Sequence, residues 1–163
     1  MINDLLELNR IKELINIELN LFEDDIVKNE IEKYLIEPIK HLRSWDYSLT
    51  NEEFPCWSIA LDENSGTIFL YSEYGFGPKC PWGIASTSQE YFGSDFCWYT
   101  KLKDCFIESY SASDLPIWCV EKASNDSFIE LIATNLTTDK AFEISNVLSK
   151  TNPEFVYSVS YRN

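Results

Sequence analysis

Trp57-Ser58-Ile59-Ala60-Leu61, Asp62-Glu63-Asn64-Ser65-Gly66 and Thr67-Ile68-Phe69-Leu70-Tyr71 form the continuous stretch whose reading decides the fold. In an extended segment side chains alternate, so Trp57, Ile59 and Leu61 share one face. Thr67 to Tyr71 is a run of β-branched, aromatic and aliphatic residues with strong strand preference. Acidic, amide, hydroxyl and glycine residues between two such runs are turn chemistry, so the stretch is expected to form a β-hairpin. A sheet grown from a hairpin is mainly antiparallel.

Working outward toward the N-terminus, Ile39 to Tyr47 reads as a further strand. Before it, Leu5, Leu8, Ile11, Leu14, Ile15 and Leu19 recur at helical spacing from Asn3, a candidate cap, to about Phe22. Glu23-Asp24-Asp25 interrupts the pattern. Ile26, Val27, Ile31, Tyr34 and Leu35 then mark a second helix, which Pro38 is expected to end. Toward the C-terminus, Gly75 to Pro81 is a turn region and Cys80 to Ser88 a candidate strand. Leu102, Cys105, Phe106 and Tyr110 are in helical register within Trp98 to Ser109. Ile117 to Glu121 reads as a strand, and Phe128 to Ala133 as a strand or a helix. Thr137 or Thr138 should cap a helix over Asp139 to Leu148, and Pro153 separates it from a terminal strand, Phe155 to Tyr161. The predicted class is α+β: an N-terminal helical hairpin packed on a mainly antiparallel β-sheet, with one or two further helices. A chain of 163 residues is expected to form a single domain, with residues 1–37 as the helical segment and 38–163 as the sheet-containing body.

The residues are 45% hydrophobic and 15% aromatic, enough apolar material to offset the entropy of ordering the chain. Acidic side chains outnumber basic ones 27 to 13, for a formal net charge of −14. Phosphates repel such a surface, which argues against direct nucleic-acid binding and favours a basic partner. Solubility alone also accounts for an acidic balance. Asp4 and Glu7 stand where a secretion signal would be basic, and no run of about 18 apolar residues occurs, so neither export nor membrane insertion is expected and the cytoplasm is the expected compartment.

Cys56, Cys80, Cys97, Cys105 and Cys119 are odd in number and never arranged as C-x-x-C, so they read as free thiols in a reducing compartment. His41 is the one imidazole, and without paired cysteines or clustered histidines no metal site is expected. Gly75-Phe76-Gly77-Pro78 lacks the third glycine of a dinucleotide loop, because Cys80 occupies that position, so a structured turn is preferred and no cofactor is expected. Asp62-x-Asn64-x-Gly66 begins like a calcium loop, but its glycine falls one position early and the late glutamate is missing. The sequons at Asn125 and Asn135 have no use without secretion. No G-x-S-x-G elbow is present, and a cysteine paired with His41 would still need an orienting group. The chain is expected not to be an enzyme.

The interleaved aromatic, acidic and turn residues from Trp45 to Phe106 carry the most specific pattern. Trp45-Asp46-Tyr47, Phe54-Pro55-Cys56-Trp57, Tyr74-Gly75-Phe76-Gly77-Pro78, Pro81-Trp82-Gly83 and Phe92-Gly93-Ser94-Asp95 to Asp104-Cys105-Phe106 together resemble a family of small bacterial proteins, the immunity proteins of contact-dependent growth inhibition and polymorphic toxin systems. The resemblance covers roughly the middle third of the chain and implies binding to a cognate toxin domain, often a nuclease, whose substrate access is blocked. A basic nuclease cleft suits an acidic inhibitor.

Aromatics and glycines of this kind fix core and turn geometry, so partner specificity is expected on loops around the sheet. The candidates are Glu52, Glu53, Asp62, Glu63, Glu73, Tyr74, Glu90, Tyr91 and Asp95. The alternatives are a cytosolic adaptor or oligomeric interaction module without inhibitory role and, ranked last, a small hydrolase using His41 or a carboxylate pair.

Overall fold

The computed structural model describes residues 2–45, 47–48, 52–77, 79–123 and 129–161. The fold is α+β, and it packs as two compact units, Met1–Ser111 and Ala112–Asn163. In the first, helices α1 (Ile2–Asn20) and α2 (Asp25–Glu32) precede strands β1 (Leu35–Ser44), β2 (Glu53–Asp62), β3 (Thr67–Tyr71), β4 (Trp82–Ser86) and β5 (Trp98–Tyr99), with helix α3 (Leu102–Ile107) at the end. The five strands form one antiparallel sheet in sequence order.

The helical stripe of α1 buries Ile11, Ile15 and Leu19, and Asp24 caps α2 by accepting a 2.8 Å hydrogen bond from the Ile26 N–H. Asn3 lies inside α1 and is not its cap. No side chain of its own segment caps α3. Its orphan Leu102 N–H instead donates to the Glu18 carboxylate at 2.8 Å, which puts negative charge at a helix N-terminus and ties α1 to α3. Tyr110, expected to continue the α3 stripe, is exposed because the helix ends at Ile107.

Pro38 does not end α2. The helix stops at Glu32, and Pro38 is buried within β1, where the register with β2 shifts between Leu35 and Ile39. Among these strands β1 pairs only with β2, and an edge strand with a bulge is where proline's missing N–H is tolerated.

The hairpin forms as expected, with Asp62 opposite Thr67 and Gly66 at φ +67°, a left-handed conformation glycine adopts without steric cost. The alternation in β2 does not translate into one buried face. Cys56 to Ala60 are all buried, because both faces of the sheet are covered. On one, Phe69 meets Phe106 of α3 at 5.8 Å between ring centroids. On the other, Cys56, Leu70, Ala85, Phe92 and Trp98 form a core cluster.

The second unit is a three-stranded antiparallel sheet in the order β7-β6-β8, from β6 (Trp118–Ala123), β7 (Ile129–Leu136) and β8 (Val156–Tyr161), with helix α4 (Thr138–Thr151) packed on it. The segment that read as strand or helix is therefore strand from Ile129; Phe128 lies outside the described residues, as does the Asn125 sequon. Thr137 is the residue before α4, but its side chain makes no capping hydrogen bond.

Candidate functional site

Strand alternation places His41, Arg43 and Trp45 on one side of β1, the side on which Cys56 and Phe54 stand opposite His41 and Arg43 in β2. Arg43 is only 6% exposed. Its Nη1 donates to the backbone carbonyls of Gln89 at 2.6 Å and Tyr91 at 3.2 Å, while Nε is buried with no hydrogen-bond partner. These contacts hold the segment after β4 against the end of β1, where the Phe92 N–H also donates to the Ser44 carbonyl at 3.0 Å and Ser44 and Tyr91 make a parallel bridge. Between that segment and the sheet lies an open cavity of about 470 Å³, lined by His41, Leu42, Arg43, Ser44, Glu53, Ile68, Thr87, Gln89 and Glu90.

Beside this cavity the motif residues converge into a continuous set of aromatic contacts. Buried Phe92 and Trp98 lie 5.3 Å apart by centroid; Phe92 meets Phe54 at 6.4 Å and Trp98 meets Phe76 at 6.0 Å. Trp45 packs edge-on to both Phe54 and Phe76. The outermost rings are Tyr74, stacked on Phe54 at 5.7 Å and 48% exposed, and Tyr47, 5.9 Å from Phe76 and 66% exposed. Two tyrosines are thus presented to solvent by a base that cannot easily repack. The turn beneath them is tight: a Cβ on Gly77 would stand 2.4 Å from the Ser72 carbonyl oxygen. Of these aromatics only Tyr74 stands among the partner-binding residues expected from the sequence; Tyr47 enters there as part of the Trp45-Asp46-Tyr47 motif, and Arg43 has no expected role. Period-two counting from His41 through Arg43 to Trp45 would have drawn attention to an arginine in a core-facing register.

The nine expected partner-binding residues do not form one surface. Glu53 and Glu90 line the same cavity, Glu52 adjoins Glu53, Tyr91 is exposed next to Glu90, and Tyr74 stacks on the residue after Glu53. Asp62 and Glu63 lie at the far end of β2, roughly 30 Å away at the rise of a strand. Asp62 is 5% exposed and serves the turn: it accepts hydrogen bonds from the Asn64 and Ser65 N–H groups and from the hydroxyls of Ser65 and Ser111. Burial opposes its ionisation, but those hydrogen bonds outweigh burial and hold its pKa below the ordinary carboxylate value. Glu73 is occupied by a two-pronged pairing with Arg10, at 2.9 and 2.6 Å, and by the Tyr71 hydroxyl at 3.2 Å. The Arg10 hydrogen bonds lower its pKa, and much of its charge is cancelled within the unit. Asp95 accepts from the Phe96 N–H at 2.9 Å at the start of a single 3-10 turn.

All five cysteines are free thiols. Register brings Cys56 opposite His41, the one cysteine–histidine juxtaposition of this sheet. Burial drives the Cys56 pKa up to about 12, with Arg43 only partly opposing it, which is the reverse of the activation a nucleophilic thiolate needs. Burial also pushes Cys105 well above its ordinary value. Asp62-Glu63-Asn64-Ser65-Gly66 is a hairpin turn, and among the described residues no three His, Cys, Asp or Glu side chains are placed to hold a metal ion. No helix among them is long and apolar enough to cross a membrane. Comparison with family models, curated proteins and solved structures finds no match.

Proposed function

We propose that this chain is an immunity protein that binds a cognate basic toxin domain, such as a nuclease, in the cytoplasm of the producing cell and keeps it from its substrate. The observation that supports this reading best is the aromatic set ending in Tyr47 and Tyr74, with Glu53 and Glu90 lining the cavity beside it. Rigid, half-exposed tyrosines lose little conformational entropy on association and are typical anchors of tight interfaces. Carboxylates beside them, on a chain of net charge −14, attract a basic surface and orient its approach. Binding is the whole mechanism, and no cofactor or metal takes part.

The test is to purify the chain with the polypeptide encoded immediately upstream and to titrate the two by calorimetry while measuring the toxin's activity. A tight complex with loss of toxin activity is expected. Replacing Tyr47 and Tyr74 together by alanine should weaken it by about 2 kcal/mol, or roughly 30-fold. Charge reversal of Glu53 and Glu90 should slow association most at low salt. A folded upstream partner that does not bind would overturn the immunity reading, and unchanged affinity of the tyrosine pair would overturn the choice of surface.

One observation favours the adaptor reading instead: the first half of β7 exposes Ile129, Leu131 and Ile132 on both of its faces, as a strand-pairing edge would. A concentration-dependent mass in analytical ultracentrifugation, lost in Leu131→Lys, would support it.

A further inference from the structure

We propose that the first half of α1, up to Arg10, is a strap: two exposed ion pairs hold it across an aromatic row of the sheet, and it opens while the rest of the helix stays docked. Strand register supplies the row. Trp57, Tyr71, Trp82 and Tyr99 stand directly opposite one another across β2, β3, β4 and β5, so their side chains share one face. Lys40 extends the row onto β1, with its ammonium 5.6 Å from the centre of the Trp57 ring. Tyr71 and Trp82 lie 4.9 Å apart by centroid, and Trp57, Tyr71 and Trp82 are all buried.

The helix is anchored on both sides of Trp57 and Tyr71. Glu7 pairs with Lys40 at the β1 end of the row. Arg10 makes its two-pronged pairing with Glu73, two residues beyond Tyr71, whose hydroxyl donates to the same carboxylate. Glu7 and Arg10 are three residues apart on α1, so they project from one turn of the helix, which these pairs fasten over the row.

The two halves of α1 are fastened differently. From Asp4 to Arg10 no side chain is buried, Leu8 is half-buried, and Leu5 and Leu6 face solvent. Beyond that point Ile11, Ile15 and Leu19 are buried, and Glu18 caps α3. Helical segments shorter than roughly 12–15 residues are marginal in water unless packing supports them, so the first half depends on its tethers. Arg10, Glu73, Lys40 and Glu7 are each between 36% and 50% exposed, and ion pairs so open to solvent are weakened by salt. The apolar contacts of Ile11, Ile15 and Leu19 are not. Release has two consequences together. It uncovers the Trp57 and Tyr71 rings, and it frees the Glu73 carboxylate one residue from Tyr74.

The experiment follows amide exchange of the full chain by NMR at about 10 mM and about 1 M sodium chloride, where charges are screened beyond roughly 30 and 3 Å. Broadening of the Trp57 and Tyr71 ring signals by a soluble nitroxide reports on the row. Salt should speed exchange at residues 6–10 by at least about fivefold relative to residues 14–19, and the two rings should become accessible with it. Arg10→Gln with Lys40→Gln removes both tethers and should produce the same opening at low salt, with its salt dependence gone; unchanged exchange in β2 and β3 shows that this variant is folded. Lys33→Gln, which breaks the Lys33–Glu30 pair of α2, should leave residues 6–10 as they were. An equal salt response along the whole of α1, or unchanged exchange at residues 6–10 in the double variant, would overturn the proposal. So would faster exchange with both rings still shielded, which is ordinary fraying of a helix end, or the same opening in Lys33→Gln.

Discussion

The two units solve the problem of burying a sheet with very different resources. The first covers both faces of five strands, fills one side with the Phe92–Trp98 cluster and the other with α3, and fixes its turns by buried polar contacts such as those of Asp62 and Ser72. The second, 112–163, has three strands and one α-helix among its described residues. Its fully buried apolar positions are few, chiefly Ile117, Cys119, Val120 and Ala141, whereas Ile129, Leu131, Phe142, Val147 and Val156 are exposed. About fifty residues bury too little surface to gain much stability on their own. Density of aromatic packing therefore separates a rigid scaffold, on which a binding surface can be preorganised, from a unit with apolar surface to spare.

The largest expected effect tests that density directly. Phe92→Ala removes a ring that touches Phe54 and Trp98 and should lower the unfolding free energy by about 3–5 kcal/mol in urea denaturation. A loss below about 1 kcal/mol would mean that this cluster is loosely packed and the contrast between units false. Gly77→Ala forces a Cβ onto the Ser72 carbonyl and should cost about 2–3 kcal/mol, with broadened Tyr74 resonances as the local sign.

Asp62→Asn should cost about 2 kcal/mol at neutral pH, because a buried carboxylate loses charge-assisted hydrogen bonds. Its folded pKa lies below the unfolded one, so its contribution is complete above the unfolded carboxylate value and is lost as pH falls through the folded value. The variant's stability should accordingly fall less than the native protein's between neutral and acid pH.

The smallest effect belongs to the second unit. Ile129→Lys with Leu131→Lys should change stability by no more than about 0.5 kcal/mol, since both side chains already face solvent. A larger loss in urea would show that this edge is covered in solution. Amide exchange would sharpen the same comparison, with β6 to β8 opening at lower free energy than β2 and β3.

Legibility followed the range of the forces involved. The hairpin, the α1 stripe, α4 and β8 could be read locally, because turn chemistry and periodicity act over a few residues. The Pro38 error came from applying a helix rule to a residue whose tolerance depended on its strand being at the edge. The candidate site was legible only in part. Glu53, Glu90, Tyr74 and Tyr91 were expected on loops around the sheet and do stand near one another, but nothing local distinguishes Glu53, which has no ion pair among the described residues, from Glu73, whose partner Arg10 lies 63 residues away.

By itself the sequence determined the α+β class, the placement of most helices and strands, and the acidic balance. Each follows from composition or from a repeat of two or 3.6 residues. Tertiary structure alone decided that β2 is buried on both faces, that Glu18 caps α3, and that Asp62 is spent on its own turn. It also buried Arg43, with no carboxylate within ion-pair distance among the described residues, and spent its Nη1 on the Gln89 and Tyr91 carbonyls. Those outcomes depend on which distant groups become neighbours, because hydrogen bonds and desolvation act over a few ångströms of space however many residues separate the partners.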